Sequence, residues 1–132
     1  AGTPAVLVGT GIPAGGITPF TPELNYAFGA QYDHQTDIGT FSVRFDGSYQ
    51  DDLYSNAENT IWSKIEGRFL GNAQVSFADA DKDWKFTVEV KNLFNEYYFL
   101  SKSDVTTPGN LGVVTGVPGM PRTWMASIKR NF

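Results

Sequence analysis

The sequence predicts an antiparallel all-β chain, and three observations carry the prediction. About five stretches alternate bulky apolar residues with small or polar ones, the period of a strand with unlike surroundings on its two sides. Aromatic residues make up 14% of the 132 positions, as ten Phe, six Tyr and three Trp, and they gather toward the ends of those stretches. The joins between stretches alternate long and short, so antiparallel strands would carry every long join at one end.

Residues 1–23 hold Gly2, Gly9, Gly11, Gly15 and Gly16 with Pro4, Pro13, Pro19 and Pro22. That density of breakers predicts an irregular loop, with at most a brief pairing at Val6 to Val8. The first strand runs from Leu24 to Gln35, where Leu24, Tyr26, Phe28, Ala30 and Tyr32 alternate with Asn25, Ala27, Gly29, Gln31 and Asp33. Thr36 to Gly39 is a short turn. The second strand, Thr40 to Asp51, has the clearest alternation: Phe41, Val43, Phe45, Gly47 and Tyr49 against Ser42, Arg44, Asp46, Ser48 and Gln50.

A polar loop follows, over residues 52–66. The third strand spans Gly67 to Ala78, with Phe69, Gly71, Ala73, Val75 and Phe77 on one side. Asp79 to Asp83 is a second short turn. The fourth strand starts at Trp84 and extends to Phe94, with Trp84, Phe86, Val88 and Val90 opposing Lys85, Thr87, Glu89 and Lys91. Residues 100–121 are rich in Gly and Pro and are expected to be loop. The fifth strand occupies the last eleven residues, where Trp124, Ala126, Ile128, Arg130 and Phe132 alternate with Met125, Ser127, Lys129 and Asn131.

Two all-β forms fit this pattern. In a soluble β-sandwich the apolar faces pack on each other, giving a sheet-based ligand-binding module. In a transmembrane barrel they face lipid, and the aromatics form two interfacial bands. The short-turn band would be Tyr32, Phe41, Phe77, Trp84 and Phe132; the long-loop band would be Tyr26, Tyr49, Phe69 and Trp124, with Tyr97 and Tyr98 just beyond. Between them lie Phe28, Val43, Phe45, Ala73, Val88, Val90 and Ile128, without a charge. The charges Arg44, Asp46, Lys85, Glu89 and Lys129 fall on the other face, expected to line the lumen.

Several classes of chemistry find little support. A net charge of −4 gives no basic footprint for nucleic acid. Cysteine is absent, so neither a disulfide framework nor a thiolate metal site is available. No apolar run approaches the ~20 residues of a membrane helix, and the first residues lack the basic start of a signal peptide. Asp79-Ala80-Asp81-Lys82-Asp83 has the opening spacing of a calcium loop, but Trp84 stands where the glycine belongs and Val90 where the glutamate belongs. A solvated turn is the better reading. His34 is the single histidine, with no Gly-x-Ser-x-Gly elbow and no phosphate loop to accompany it. The expectation is a protein that is not an enzyme and needs no cofactor.

Three pieces resemble the C-terminal part of TonB-dependent outer-membrane receptors. Asn92-Leu93-Phe94-Asn95 followed by Tyr97 and Tyr98 is similar to the family's Asn-Leu-Phe-Asn segment. Gly119-Met120-Pro121-Arg122-Thr123 is similar to its Gly-x-Pro-Arg-Thr lead into the last strand. The third is the terminal strand, where Trp124, Ala126, Ile128 and Phe132 resemble the signal read by the barrel-assembly machinery. Arg130 departs from the usual apolar preference at its alternate position, where a basic side chain can snorkel to the headgroups.

The resemblance implies a barrel of about twenty-two strands, enclosing a plug, in the outer membrane of a Gram-negative bacterium. It implies uptake of a scarce nutrient, such as a ferric siderophore, cobalamin or a saccharide, energised by the TonB complex. Residues 1–23 become an extracellular loop, and 24–132 become C-terminal strands with short periplasmic turns and long outside loops, in contact with lipid and lipopolysaccharide. Five strands cannot close a lipid-facing barrel. They are expected to pair with further strands of the same receptor, from a split or longer protein, or with copies of themselves.

Overall fold

The computed structural model describes residues 14–106 and 111–131. Among these are nine strands and no helix: β1 (Asn25–Thr36), β2 (Gly39–Gln50), β3 (Leu53–Tyr54), β4 (Lys64–Ile65), β5 (Arg68–Asp79), β6 (Trp84–Lys91), β7 (Phe99–Val105), β8 (Val113–Pro118) and β9 (Thr123–Arg130). The five long alternating stretches are β1, β2, β5, β6 and β9, and they form one antiparallel sheet in that order. The chain is thus all-β and antiparallel, and its main sheet has the form of a barrel segment.

The register explains why alternation set the faces. Tyr32, Val43, Val75, Val88 and Ala126 stand in one row across all five strands. Gln31, Arg44, Gln74, Glu89 and Met125 form the neighbouring row, on the opposite face. Because the pleat has a period of two, a slip of one residue in any strand would send its aromatics to the polar side. The β1–β2 join is tight: Thr36 pairs with Gly39, whose φ of 148° suits glycine and whose absent Cβ leaves room for the Ala78 carbonyl.

The sheet is a single layer. Contacts join each strand only to its sheet neighbours, apart from the small pairs β3–β4, β7–β8 and β4–β7. Buried apolar side chains among the described residues are Leu53, Ile65 and Val90. The apolar face stays open, with Phe28 50% and Ile128 68% exposed. A sandwich needs a second sheet ~10 Å away, and no described element lies there.

Four expectations are corrected. The stretch 100–121 is not simply loop, since β7 and β8 pair as a hairpin through residues such as Lys102 with Gly116 and Val105 with Val113. Its docked side carries Lys102 and Asp104, so it shows no apolar alternation. The 52–66 loop likewise holds the short β3–β4 ladder. The fourth strand ends at Lys91, not Phe94, because Asn92 takes a φ of 51° and turns the chain. The last strand stops at Arg130. Phe132, Val6 to Val8 and the glycines and prolines before residue 14 lie outside the described residues.

Candidate functional site

The apolar face is organised by two oblique aromatic bands. Tyr26 stacks on its cross-strand partner Tyr49 at 5.2 Å, and Tyr49 pairs with Phe69. On β9 the same band has moved: Trp124 is level with Val90, Ala73, Phe45 and Ala30, four residues from Tyr26. That is about 13 Å of strand over about 19 Å of sheet. The other band starts at Tyr32, continues through the Phe41–Phe77 pair at 4.6 Å, and reaches Trp84. It shifts in the same direction by four residues over three strand spacings. Bands level with a membrane surface would therefore tilt the strands by about 35–45°, the tilt of closed barrels. His34 and Arg130 lie at or beyond the short-turn band, and the Arg130 guanidinium rests 4.9 Å from the Trp84 ring centre.

Between the bands, Gly47 and Gly71 sit opposite each other. A Cβ on Gly47 would come within 2.6 Å of the Phe28 ring, and one on Gly71 within 2.6 Å of Phe94. Phe28, Phe69 and Phe94 thus form a run of rings, 6.2 and 5.8 Å apart, laid across a glycine floor. Phe94 of the Asn-Leu-Phe-Asn segment has its place here.

The other two polar members of that segment form a clamp. The Asn92 side-chain amide donates to the Glu96 and Met120 carbonyls at 2.8 and 3.1 Å, and its oxygen accepts from the Glu96 N–H at 2.8 Å. The Leu93 N–H donates to the Gly71 carbonyl, and the Asn95 side-chain oxygen accepts from the Arg122 N–H at 3.1 Å. Both asparagines have positive φ, 51° and 55°, which Asn tolerates better than most residues. The two family-like pieces are therefore in physical contact, the first fixing the approach to Pro121, Arg122 and β9. Leu93 contributes its backbone; Tyr97 packs edge-on against Phe99 at 5.4 Å.

On the polar face the register gathers all of Arg44, Asp46, Lys85, Glu89 and Lys129. Arg44, Asp46 and Glu89 pair along their strands rather than across them. Arg44 makes a two-pronged bond to Asp46, 2.8 Å in each prong, and Glu89 reaches Lys91 at 3.7 Å. The reason is the register: Arg44 is opposite Gln31 and Gln74, and Lys85 is opposite Ala78 and Lys129. Gln31, Ser42, Arg44, Gln74, Ser76 and Lys85 line a concavity of about 250 Å³.

At the long-loop end the connections dock on one another, which sequence reasoning missed. Lys102 donates to the Lys64 carbonyl at 2.6 Å, and Thr60 donates to Asp104 at 2.5 Å. Asn59, at φ 50°, accepts from the Ile17 N–H at 2.6 Å and donates to the Ile17 carbonyl. Hydrogen bonds from Thr106 and then Thr60 hold the Asp104 carboxyl below the usual carboxylate range. The Lys64 ammonium does the same for Asp52, against some desolvation. The available signal was the pair of asparagines at 56 and 59, typical of tight turns. Among the described residues no His, Cys, Asp and Glu cluster could hold a metal; the Asp79 carboxylate instead accepts from the Trp84 N–H at 3.0 Å.

No family model matches the chain, and no curated protein matches it significantly. Among solved structures the chain is similar to BauA, the ferric preacinetobactin receptor from Acinetobacter baumannii. The TM-score is 0.65 at 25% sequence identity, and the match covers 86% of this chain and 16% of that one. The chain thus spans about one sixth of the length of the receptor it resembles.

Proposed function

We propose that this chain is part of the wall of a TonB-dependent outer-membrane receptor that takes up a ferric siderophore. The observation that carries the reading is the pair of aromatic bands. They bound an uncharged, uncovered face, and both shift in one common direction by the amount that a tilted barrel wall demands. The similarity to a ferric siderophore receptor points to the cargo. Cobalamin or a saccharide is the alternative within the same mechanism.

The role is structural. The apolar face meets hydrocarbon and the polar face meets the water-filled interior. The β3–β4 and β7–β8 pairs build the outer rim, beside lipopolysaccharide, where cargo arrives. The outer edges of β1 and β9 carry backbone N–H and C=O groups that hydrocarbon cannot satisfy, at several kcal/mol each. Further strands of the receptor pair with both edges. A plug within the barrel and the TonB complex beneath it supply the energised step, and the terminal strand is presented to the barrel-assembly machinery. This chain takes no part in bond-making chemistry and needs no cofactor.

The test is uptake of radiolabelled iron by cells with and without the gene, using their own siderophore under iron starvation. The reading expects loss of uptake on deletion and recovery on complementation, with the protein in the outer-membrane fraction. Unchanged uptake of iron, cobalamin and saccharides alike, or a protein soluble without detergent, overturns it.

A further inference from the structure

Lys85 and Lys129 face each other directly across β6 and β9, on the polar face. Like charges in opposed positions destabilise a sheet unless something neutralises them. Among the described residues neither lysine makes an ion pair: the pairs present are Arg44–Asp46, Lys64–Asp52 and Lys91–Glu89. Lys85 also lines the 250 Å³ concavity with Arg44, Gln31, Gln74, Ser42 and Ser76. Within that lining Gln31 already donates to Asp33 and Arg44 to Asp46, which leaves Lys85, Gln74 and the two serine hydroxyls facing the concavity. Ser76, a 7% exposed residue, presents its hydroxyl to this concavity.

From these observations we infer that the concavity with its flanking Lys85–Lys129 pair is a carboxylate-binding site on the inner wall. The carboxylate lies between the two ammonium groups, and Gln74 and Ser76 of the concavity supply further donors. It relieves the like-charge opposition. The inference rests on the receptor reading for its inward orientation. The carboxylate comes either from an Asp or Glu of another part of the protein, held inside the barrel, or from a small solute in the lumen.

The test is zero-length coupling of amines to carboxylates in the full-length protein, with peptide mapping. The Lys64–Asp52 pair, at 2.5 Å, is the internal standard and must couple. A protein source is expected to give a Lys85 or Lys129 amide to an Asp or Glu beyond these 132 residues. A solute source gives no such amide, but citrate slows acetylation of Lys85 and Lys129 about fivefold relative to Lys102, as a charge-assisted bond should. Coupling at Lys64–Asp52, with neither coupling nor citrate protection at Lys85 and Lys129, overturns the site. The coupling map is read in the same way whichever cell fraction holds the protein, so the site and the receptor reading fail separately.

Discussion

Replacing Asn92 with alanine should release the approach to the last strand. The side chain makes three hydrogen bonds, to both backbone groups of Glu96 and to the Met120 carbonyl, and the residue is 6% exposed. Each bond contributes about 1 kcal/mol net, and orphaned buried partners add to the loss. Alanine must also hold a φ of 51°, at about 1 kcal/mol over glycine. The expected local cost is about 3–4 kcal/mol for Asn92→Ala and about 1 kcal/mol less for Asn92→Gly. Amide exchange in the folded full-length protein reads this directly. Peptides covering 92–97 and 119–123 should exchange about 150- to 700-fold faster in the alanine variant, since 1.4 kcal/mol is about tenfold. Less than a threefold change would refute the clamp. Equal exchange in the alanine and glycine variants would refute the backbone part of the estimate.

Adjacent residues on β6 should respond oppositely to charge. Val88→Arg, midway between the bands, should cost about 2–4 kcal/mol in denaturant unfolding from a bilayer, and Thr87→Arg on the other face about 0–1. Gly71→Val should drive a side chain into the Phe94 ring, costing about 1–3 kcal/mol, and Phe94→Ala should recover part of that loss. The docked β7–β8 hairpin should loosen in acid. The folded Asp104 pKa lies below its unfolded value, so its contribution is complete above the unfolded value of about 4 and is lost as pH falls through the folded one. Fluorescence of Trp62 followed from pH 6 downward should be flat to about pH 4 and then change, a step that Asp104→Asn shifts or removes.

The long strands were legible because each has two unlike faces, and that pattern fixes both the period and the side. β1, β2 and β5 begin and end within one residue of where alternation placed them. The β3–β4 and β7–β8 ladders were not legible because the groups they dock on are distant in sequence. Lys102 on the Lys64 carbonyl and Thr60 on Asp104 leave no local period. Glycine and proline between 100 and 121 read as breakers, yet Gly116 belongs to β8, where the Phe99 ring fills the space a side chain would need. The family-like segments were visible as letters, but their contact through Asn92 and Asn95 needed coordinates. The slope of the aromatic bands also needed the cross-strand register, since sequence alone gives each aromatic its strand but not its level.

The central claim is that the face bounded by the two bands meets lipid. Quenching of single-tryptophan variants by brominated lipid tests it most directly, with the full-length protein in vesicles and one of Trp62, Trp84 or Trp124 retained at a time. The account predicts strong quenching of Trp84 and Trp124 by bromines near the headgroup end of the acyl chain, and none of Trp62 in the outer loop. Equal, weak quenching at all three positions would contradict it, because that face would then not be in the membrane.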